Sequence, residues 1–487
     1  MHVVIVGNGI IALTAAFRLL QRGDADLRIT LVGPGPRPGS ATLAAGAMLN
    51  SFAEIEAGSL DSELDLYRFE LSHLASQMWP RFELELIDAA GDRLPAGCRN
   101  CLGFGGGGCA KKGTYVVNNA SADDLDDDNF DAIVSALQEF DEPHRLVSAQ
   151  EIAGYRPHPR HRATRAVYID NEGWFNPRLM LGKLDAIMQR SARVHRVDDI
   201  AVRIEHAAGQ VRAVVTGGGQ RIDGDRFLLA TGASINALVQ DSGLPIRMQR
   251  VFYGVGVSLQ LGIRQMQQSH CIRTPARGLA CGLYSVPYFE TPGAADSQIL
   301  VGATNFISAD PYPWGRVASI ENLMRAVTRE VNQEYGKADL VRINVGWRPT
   351  SQDTYPMVGP TSMTNLVVAT GTKRDGFHMA PVLSRQIAGM LLGEPADERF
   401  AVFAPERAPL KTMTREQAVD KAVRHQINAA FQHGFEPATS GTVAQLRRSI
   451  EADVQQVHDQ AGAVDWGIPP EMLDMYRWGH AREWRPR

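Results

Sequence analysis

The sequence predicts an α/β fold in three parts: a discontinuous domain on a mainly parallel sheet, a mostly antiparallel β domain, and a helical C-terminal extension. Three observations carry this reading. A strand, a glycine turn and a helix open the chain, and a second strand follows at βαβ spacing. Two apolar runs far apart in sequence end alike, in Ala230-Thr231-Gly232 and in Ala369-Thr370-Gly371. Between them, residues 248–345 are dense in strand signals, interrupted by one helical stretch near 319–333.

Composition sets the outer bounds. A chain of 487 residues with 44% hydrophobic content can bury a large core, divided among two or three units. The formal net charge of −4 provides no overall positive field, so neither nucleic acid nor an anionic membrane is an expected partner. No apolar run approaches the roughly 18 to 20 residues that span a bilayer. The first β run follows Met1 directly and leaves no room for a signal peptide, so a cytoplasmic location is expected. Five cysteines are too odd and sparse a set to suggest a disulfide framework.

Taken in order, residues 2–6 are an apolar β run, and Gly7-Asn8-Gly9-Ile10-Ile11-Ala12 turns into a helix ended by Gly23. The glycines permit a tight turn and let a pyrophosphate approach the helix N-terminus, as in a Rossmann-like dinucleotide site; Ala12 replaces the third glycine. Residues 28–33 form the second strand. A carboxylate that binds ribose hydroxyls is expected at its end, and Gly33 stands there instead. The small residues of Gly39–Leu49 suit backbone laid against a flat ring, or equally a close helix–sheet contact. Residues 61–90 have helical patterning and read as packing.

Cys98, Cys101 and Cys109 surround the run Gly105–Gly108. They lack a fourth metal ligand nearby, and the run lacks the Gly-Lys-Ser/Thr ending of a phosphate loop, so a hairpin without metal is expected. The acidic run Asp123–Asp131 lacks the glycine and terminal glutamate of a calcium loop and reads as a solvated helix start. The basic stretch Arg156–Arg165, with two prolines, reads as a solvated turn. Asn176-Pro177 is a good N-cap and first-turn pair for a helix through Met188. Strands at 193–197, 200–205, 211–216 and 226–230 then form an excursion that returns to the first Ala-Thr-Gly corner.

Tyr284 and Tyr288 lie four apart on a strand and so share a face, while Arg348 ends another strand. Two phenols and a guanidinium that converge would bind a carboxylate; the alternative is a half-exposed sheet face and a surface arginine. Beyond the second corner, Ala380-Pro381 with Leu383, Ile387 and Leu391 predict a helix from near Met379 to Gly393. Its free N–H groups and positive dipole end face the loop Gly371–Gly376. From about 401, Thr414 and Gln417 stand at capping-box spacing, and Leu446, Ile450, Val454 and Val457 mark a second helix. Trp466, Trp478 and Trp484 suggest a docked extension whose aromatics serve packing or an oligomer contact.

The N-terminal Gly-Asn-Gly-Ile-Ile-Ala, the segment Ala44-Ala45-Gly46-Ala47-Met48-Leu49, residues 345–360 (VGWRPTSQDTYPMVGP) and residues 369–381 (ATGTKRDGFHMAP) together resemble the D-amino-acid oxidase/glycine oxidase superfamily of FAD-dependent amine oxidoreductases. The resemblance covers roughly residues 1–395. It implies a discontinuous Rossmann-like FAD-binding domain of glutathione-reductase type (1–95, 165–240 and 345–400) and a substrate domain (96–164 and 241–344); the helical extension (401–487) lies outside it. It implies oxidation of an amino acid or related carboxylated amine to an imine by hydride transfer to flavin N5, with O2 or another acceptor taking the electrons.

By this resemblance Gly7, Gly9, Ile10 and Ile11 face the pyrophosphate, and Ala44, Ala45, Gly46, Ala47 and Met48 run along the flavin. Ile200 meets the adenine, and Thr231, Gly232 and Gly371 belong to the cofactor corners. Arg374, Asp375, Gly376, Phe377, His378 and Met379 lie beside the flavin pyrimidine ring, where N–H groups and helix dipole would favour the anionic reduced flavin. Arg348 binds the substrate carboxylate, and Tyr284 and Tyr288 are the paired pocket tyrosines, Tyr288 also reaching the carboxylate. His378 stands where sarcosine-oxidase relatives place a lysine; it either binds carboxylate and tunes the amine, or holds loop backbone. Two other readings share the scaffold. One is an NAD(P)H-dependent flavin hydroxylase, which usually shows Gly-Asp where this chain has residues 357–363 (MVGPTSM); the other is a non-catalytic FAD-containing subunit.

Overall fold

The computed structural model describes residues 1–94, 111–119, 124–264, 268–278, 282–288, 298–395 and 397–481. The cysteine and glycine segment singled out at 98–109 lies outside them, as does Trp484.

The first sheet has six strands, in the order Met357–Pro360, Leu366–Thr370, Arg226–Leu229, His2–Val6, Arg28–Val32 and Val194–Val197. Every neighbouring pair is parallel except the first, and Val3 sits opposite both Arg226 and Ile29. Parallel strands buried on both faces need continuous apolar sequence, which HVVIV and LVVAT supply. Helix Ile10–Arg22 and helix Ala380–Leu392 come from opposite ends of the match to the family pattern yet share one core, through Leu13, Ala16, Leu383 and Ile387. The two Ala-Thr-Gly corners also meet. Gly232 and Gly371 both adopt positive φ (60° and 70°), and Thr370 Oγ1 donates to the Gly232 carbonyl at 2.9 Å.

A three-stranded antiparallel sheet (Ala201–Ala207, Gln210–Thr216, Arg221–Asp223) forms the excursion before the first corner. The large second sheet is antiparallel at every pairing but Cys271–Arg273 with Lys111–Asn119. Its long ladder joins Val251–Gly262 to Asp339–Ser351. Strand Ala163–Trp174 pairs with Lys111–Asn119, so it crosses the domain boundary expected at 165, just as Asp339–Ser351 crosses the one at 345. These strands carry the chain from one layer to the other and deliver Arg348 to the junction. No helix among the described residues is long and apolar enough to cross a membrane.

Two sequence expectations need correction. The acidic run begins helix Asp124–Glu139 and is solvated as expected at Asp124, Asp127, Asp128 and Asp131, but Asp126 is not: it is 1% exposed, 2.6 Å from Arg277, and also accepts from Asn428 at 3.3 Å. Glu330 shares the same guanidinium. Burial pushes Asp126 up to about 7 despite Arg277, whereas at Glu330 the opposing pull of Arg277 outweighs burial and holds the carboxyl below its ordinary range. The basic stretch is the largely exposed turn expected, anchored at its end where Arg165 pairs with Asp127 and Asp131 at 2.9 and 2.5 Å. The second correction is helix Glu63–Ala90, read as packing alone, which also reaches the site described below.

The extension docks as expected. Thr414 Oγ1 accepts from Gln417 N at 3.2 Å and Gln417 Oε1 from Thr414 N at 2.8 Å, which starts helix Arg415–Gln432. Its Val419, Val423 and Ile427 pack with Val454, Trp466 and Phe252. Trp478, by contrast, is 60% exposed and does not pack.

Helix Glu63–Ala90 is joined to helix Pro177–Arg190 by a buried ion pair, Lys183 with Glu83. Removing one partner of such a pair leaves a desolvated charge, so Glu83→Ala is expected to lose about 3–5 kcal/mol of stability. Urea unfolding of Glu83→Ala beside a Glu83→Met/Lys183→Met double variant checks this; the double variant should recover much of the loss.

Candidate active site

The turn after strand His2–Val6 is shaped by close approach. Gly7 has φ 128°, and a Cβ on it would stand 2.3 Å from the Ala230 carbonyl oxygen. Gly9 caps the following helix without a side-chain hydrogen bond, so the helix opens with backbone N–H groups facing outward; among the described residues Ile10 N finds Thr42 Oγ1, at 3.3 Å. In front of this end lies a cavity of about 610 Å3.

Gly7, Gly9, Ile10 and Ile11 line its inner part, and Ala44 and Ala45 flank it. Ile200 and Val202 line it too, 58% and 44% exposed, an apolar surface on which a flat base can lie. Thr231, Gly232, Thr372, Arg374, Gly376, Phe377 and Arg348 line it as well. Thr231 Oγ1 is buried without a hydrogen-bond partner. An uncapped helix end, an orphaned hydroxyl and an exposed apolar wall fit an extended dinucleotide. Gly33 also finds its reason: a Cβ there would meet the Asn8 side chain at 2.9 Å, and Asn8 in turn donates to the Pro34 carbonyl at 2.7 Å. An acidic side chain at that position would have to displace the Asn8 side chain, and Arg37, which donates to Asn8 O and pairs with Asp185, lines the cavity nearby.

Other expected cofactor residues support this wall from behind. Gly46 lies under the Tyr284 ring, where a Cβ would come within 2.8 Å. Ala47, at φ 47°, accepts from Phe175 N, and Met48 pairs with Trp174. Gly371 packs its corner against Met357 N, Asp375 pairs with Arg68 at 2.5 Å, and Met379 is the buried N-cap of helix Ala380–Leu392.

Arg348 and the tyrosines separate. Arg348 faces the cavity; its Nη1 donates to the Thr304 carbonyl (3.0 Å) and to Asn305 Oδ1 (3.1 Å), and both acceptors are neutral. The guanidinium lies across Gly256, where a Cβ would be 2.3 Å from Nη1. Tyr284 and Tyr288 do share a face, but that face is packed in a cluster with Trp174, Cys271, Val286 and Leu300, and neither residue lines the cavity. Tyr284 approaches the site only as the ring beneath Gly46 and Gly302.

His378 turns away from the cavity as well. Nε2 is 2.8 Å from Ser76 Oγ and Nδ1 3.3 Å from Ser72 Oγ, while its carbonyl accepts from Trp79 Nε1 at 2.6 Å. Of its two sequence readings, the geometry is that of a histidine holding loop backbone. Burial lowers its pKa to about 4 although Asp375 opposes this. Below pH 6.5 the unfolded state takes up a proton that the folded state refuses until about pH 4, so this group makes stability fall with pH across that window, by up to about 1.4 kcal/mol per pH unit. A His378→Asn variant is expected to show a flatter stability profile than wild type between pH 6.5 and 4, read by urea midpoints.

A second cavity, of about 410 Å3, shares Lys373 and Arg374 with the first. Asn50, Glu54 and Glu56 line it, with Arg68 and Ser72 of helix Glu63–Ala90 and with Lys421, His425 and Glu471 of the extension. The loop is tied to the extension by the Lys373–Glu471 ion pair, and Lys421 lies 2.7 Å from Glu56. Burial works against ionised Glu56, but Lys421 prevails and holds the carboxyl far below its usual range. Lys373 is lowered by burial, partly offset by Glu471. Behind this wall Glu172 accepts from Phe52 N and Ala53 N, and burial raises it to about 8. Lys373 and the extension residues escape sequence reading because the cavity joins segments hundreds of residues apart; helix periodicity marks the extension's apolar face only.

A family model described as FAD dependent oxidoreductase (DAO) matches residues 2–390. The chain is 23% identical over 438 residues to a bifunctional protein ThiO/ThiG of Trichormus variabilis, which covers 89% of this chain and 58% of the relative. It is 24% identical over 441 residues to a D-amino acid dehydrogenase of Methylobacterium radiotolerans, covering 81% of this chain and 96% of that one. The chain spans 29% of a second bifunctional protein ThiO/ThiG, from Nostoc sp., and 48% of a D-amino acid dehydrogenase of Methylobacterium nodulans, so it covers about half or less of the length of several curated relatives. Glycine oxidase from Geobacillus kaustophilus is similar in fold, with a TM-score of 0.66 at 19% identity, covering 83% of this chain and 98% of that chain.

Proposed function

Because the chain belongs to the DAO family of FAD-dependent oxidoreductases, we propose that it oxidises the C–N bond of an amino acid or related carboxylated amine to an imine. FAD, when bound, supplies the hydride acceptor, N5 of its ring system. The first cavity would hold it, with Gly7, Gly9, Ile10 and Ile11 at the pyrophosphate, Ile200 and Val202 at the adenine, and Thr372, Lys373, Arg374, Gly376 and Phe377 at the far end. Arg374 and the positive end of helix Ala380–Leu392 put positive potential beside that loop.

The observation that carries the substrate class is Arg348. A guanidinium presented to the cleft and held by two neutral acceptors keeps its full charge for a carboxylate, with N–H groups left over for a forked contact. The bound carboxylate orients the α-carbon. The amine reacts neutral, its lone pair forming the C=N bond as hydride leaves, so no protein base is required. Tyr284 and Tyr288 stiffen the sheet behind the site, and His378 fixes the loop against helix Glu63–Ala90.

The test is anaerobic bleaching of the oxidised-flavin band by glycine, by D-, L-, N-methyl and cyclic amino acids, and by plain amines. Bleaching by amino acids and not by the matching decarboxylated amines is expected. Bleaching by NADPH alone would overturn the reading in favour of a hydroxylase.

A further inference from the structure

The second cavity has a charge imbalance with a direction. Eight carboxylates line it against five Lys and Arg side chains. Partners just outside do not restore the balance: Arg273 and Arg407 serve Glu54 and Asp353, while Asp128 draws on Arg424. Asp61 and Asp420 are exposed at its edge. His425 adds no cation, because burial lowers it to about 4.

Two nearly buried wall residues point the same way. Asn50 and His425, 3% and 6% exposed, each carry one buried polar atom with no hydrogen-bond partner, Oδ1 and Nδ1. Asn50 Nδ2 faces Met48 Sδ at 3.9 Å, which leaves the amide oxygen as an unused acceptor. His425 Nε2 is 3.9 Å from the Glu56 carboxylate; the ring proton of a neutral imidazole is favoured on that side, which leaves Nδ1 as a lone pair. A negative excess and two idle acceptors complement a group that is positive and rich in N–H donors. The wall that presents them is partly the extension, which lies beyond the residues that match the family. It meets the cleft of Arg348 at Lys373 and Arg374.

We infer that this cavity is the side-chain pocket of the active site and that it selects amino acids whose side chain ends in an ammonium or guanidinium group. The inference rests on the amine-oxidation reading for its chemistry, but binding tests it separately. The probes are 6-aminohexanoate, 6-guanidinohexanoate, hexanoate and adipate, titrated into the holoenzyme by calorimetry at low ionic strength. Each offers a carboxylate to Arg348, and none carries an α-amine to be oxidised.

A cationic probe is expected to bind about tenfold or more tightly than hexanoate, the size of one charge-assisted hydrogen bond. Adipate should bind weakest. The first two probes separate ammonium from guanidinium. His425→Leu is expected to bring the ratio of 6-aminohexanoate to hexanoate affinity towards one, and Asp420→Asn, an exposed change at the edge, to lower it about twofold. Equal binding of hexanoate and 6-aminohexanoate by wild type, or tighter binding of adipate, overturns the inference. Selective binding of the cationic probes with no bleaching by any amine would retain the pocket and discard the oxidation chemistry. Bleaching by norleucine as efficient as by lysine, in the same enantiomer, would do the reverse.

Discussion

Arg348→Ala is expected to lose two to four orders of magnitude in amino-acid-dependent flavin reduction while keeping its flavin. A forked guanidinium–carboxylate contact contributes two charge-assisted hydrogen bonds of roughly 1.5–3 kcal/mol each, and about 1.4 kcal/mol is a factor of ten. Little of the loss should come from misfolding, because the Arg348 contacts to Thr304 O and Asn305 Oδ1 are neutral loop contacts, not a buried ion pair. Arg348→Lys should recover only part of the rate, since an ammonium cannot reproduce the planar fork. Gly256→Ala makes the same test without touching the charge. The atoms nearest a Cβ at 256 are those of the mobile end of Arg348, so the guanidinium must swing aside; KM should rise with little change in Tm. Single-turnover reduction monitored by stopped flow reads all three variants. An Arg348→Ala enzyme that bleaches at the wild-type rate would rule out the carboxylate role.

The effect at Arg348 shows where sequence reading succeeds and where it stops. Features decided within a few residues were legible. Gly393 ends its helix in the left-handed conformation (φ 81°), Asn176 Oδ1 accepts from Arg178 N and Leu179 N, and Thr414 and Gln417 cap each other. Each is a local backbone requirement that few residue types meet. Period-two alternation likewise put Tyr284 and Tyr288 on one face. It could not say which face, because the choice depends on what Trp174 and Cys271 of neighbouring strands bring to it.

His378 and Asp126 fall to the same limit. The direction of a loop imidazole is decided by Ser72 and Ser76, some 300 positions earlier, and the burial of Asp126 by Arg277 and Asn428. Within a largely solvated aspartate run, the one buried member cannot be picked out until its cation is known. The second cavity is the extreme case, assembled from the turn Asn50–Glu56, helix Glu63–Ala90, the loop at 373–375 and two parts of the extension. Charges there are legible one by one as surface residues. Only their convergence makes them a site, and no spacing along the chain encodes it.

Gly7→Ala is expected to yield protein largely stripped of flavin. Two costs coincide at this residue. Its φ of 128° is one that L residues rarely adopt, and the added methyl would stand 2.3 Å from the Ala230 oxygen, a backbone atom that cannot rotate away. Strand His2–Val6 is hydrogen-bonded in register with Arg226–Leu229 on one side and with Arg28–Val32 on the other, so relief must come from the turn. Moving the turn displaces Gly9 and the N–H groups that open helix Ile10–Arg22, which are the groups aimed into the cofactor cavity. Backbone strain of about 1–2 kcal/mol and overpacking of about 1–3 kcal/mol together correspond to roughly two to three orders of magnitude in cofactor affinity. Gly209→Ala is the control: it also has positive φ (72°), but open space surrounds it, so it should purify with a full complement of flavin. Flavin-to-protein absorbance ratios after gel filtration, with added FAD titrated back, measure the difference. A Gly7→Ala protein as yellow as the control would mean that the cofactor is held elsewhere than at this turn.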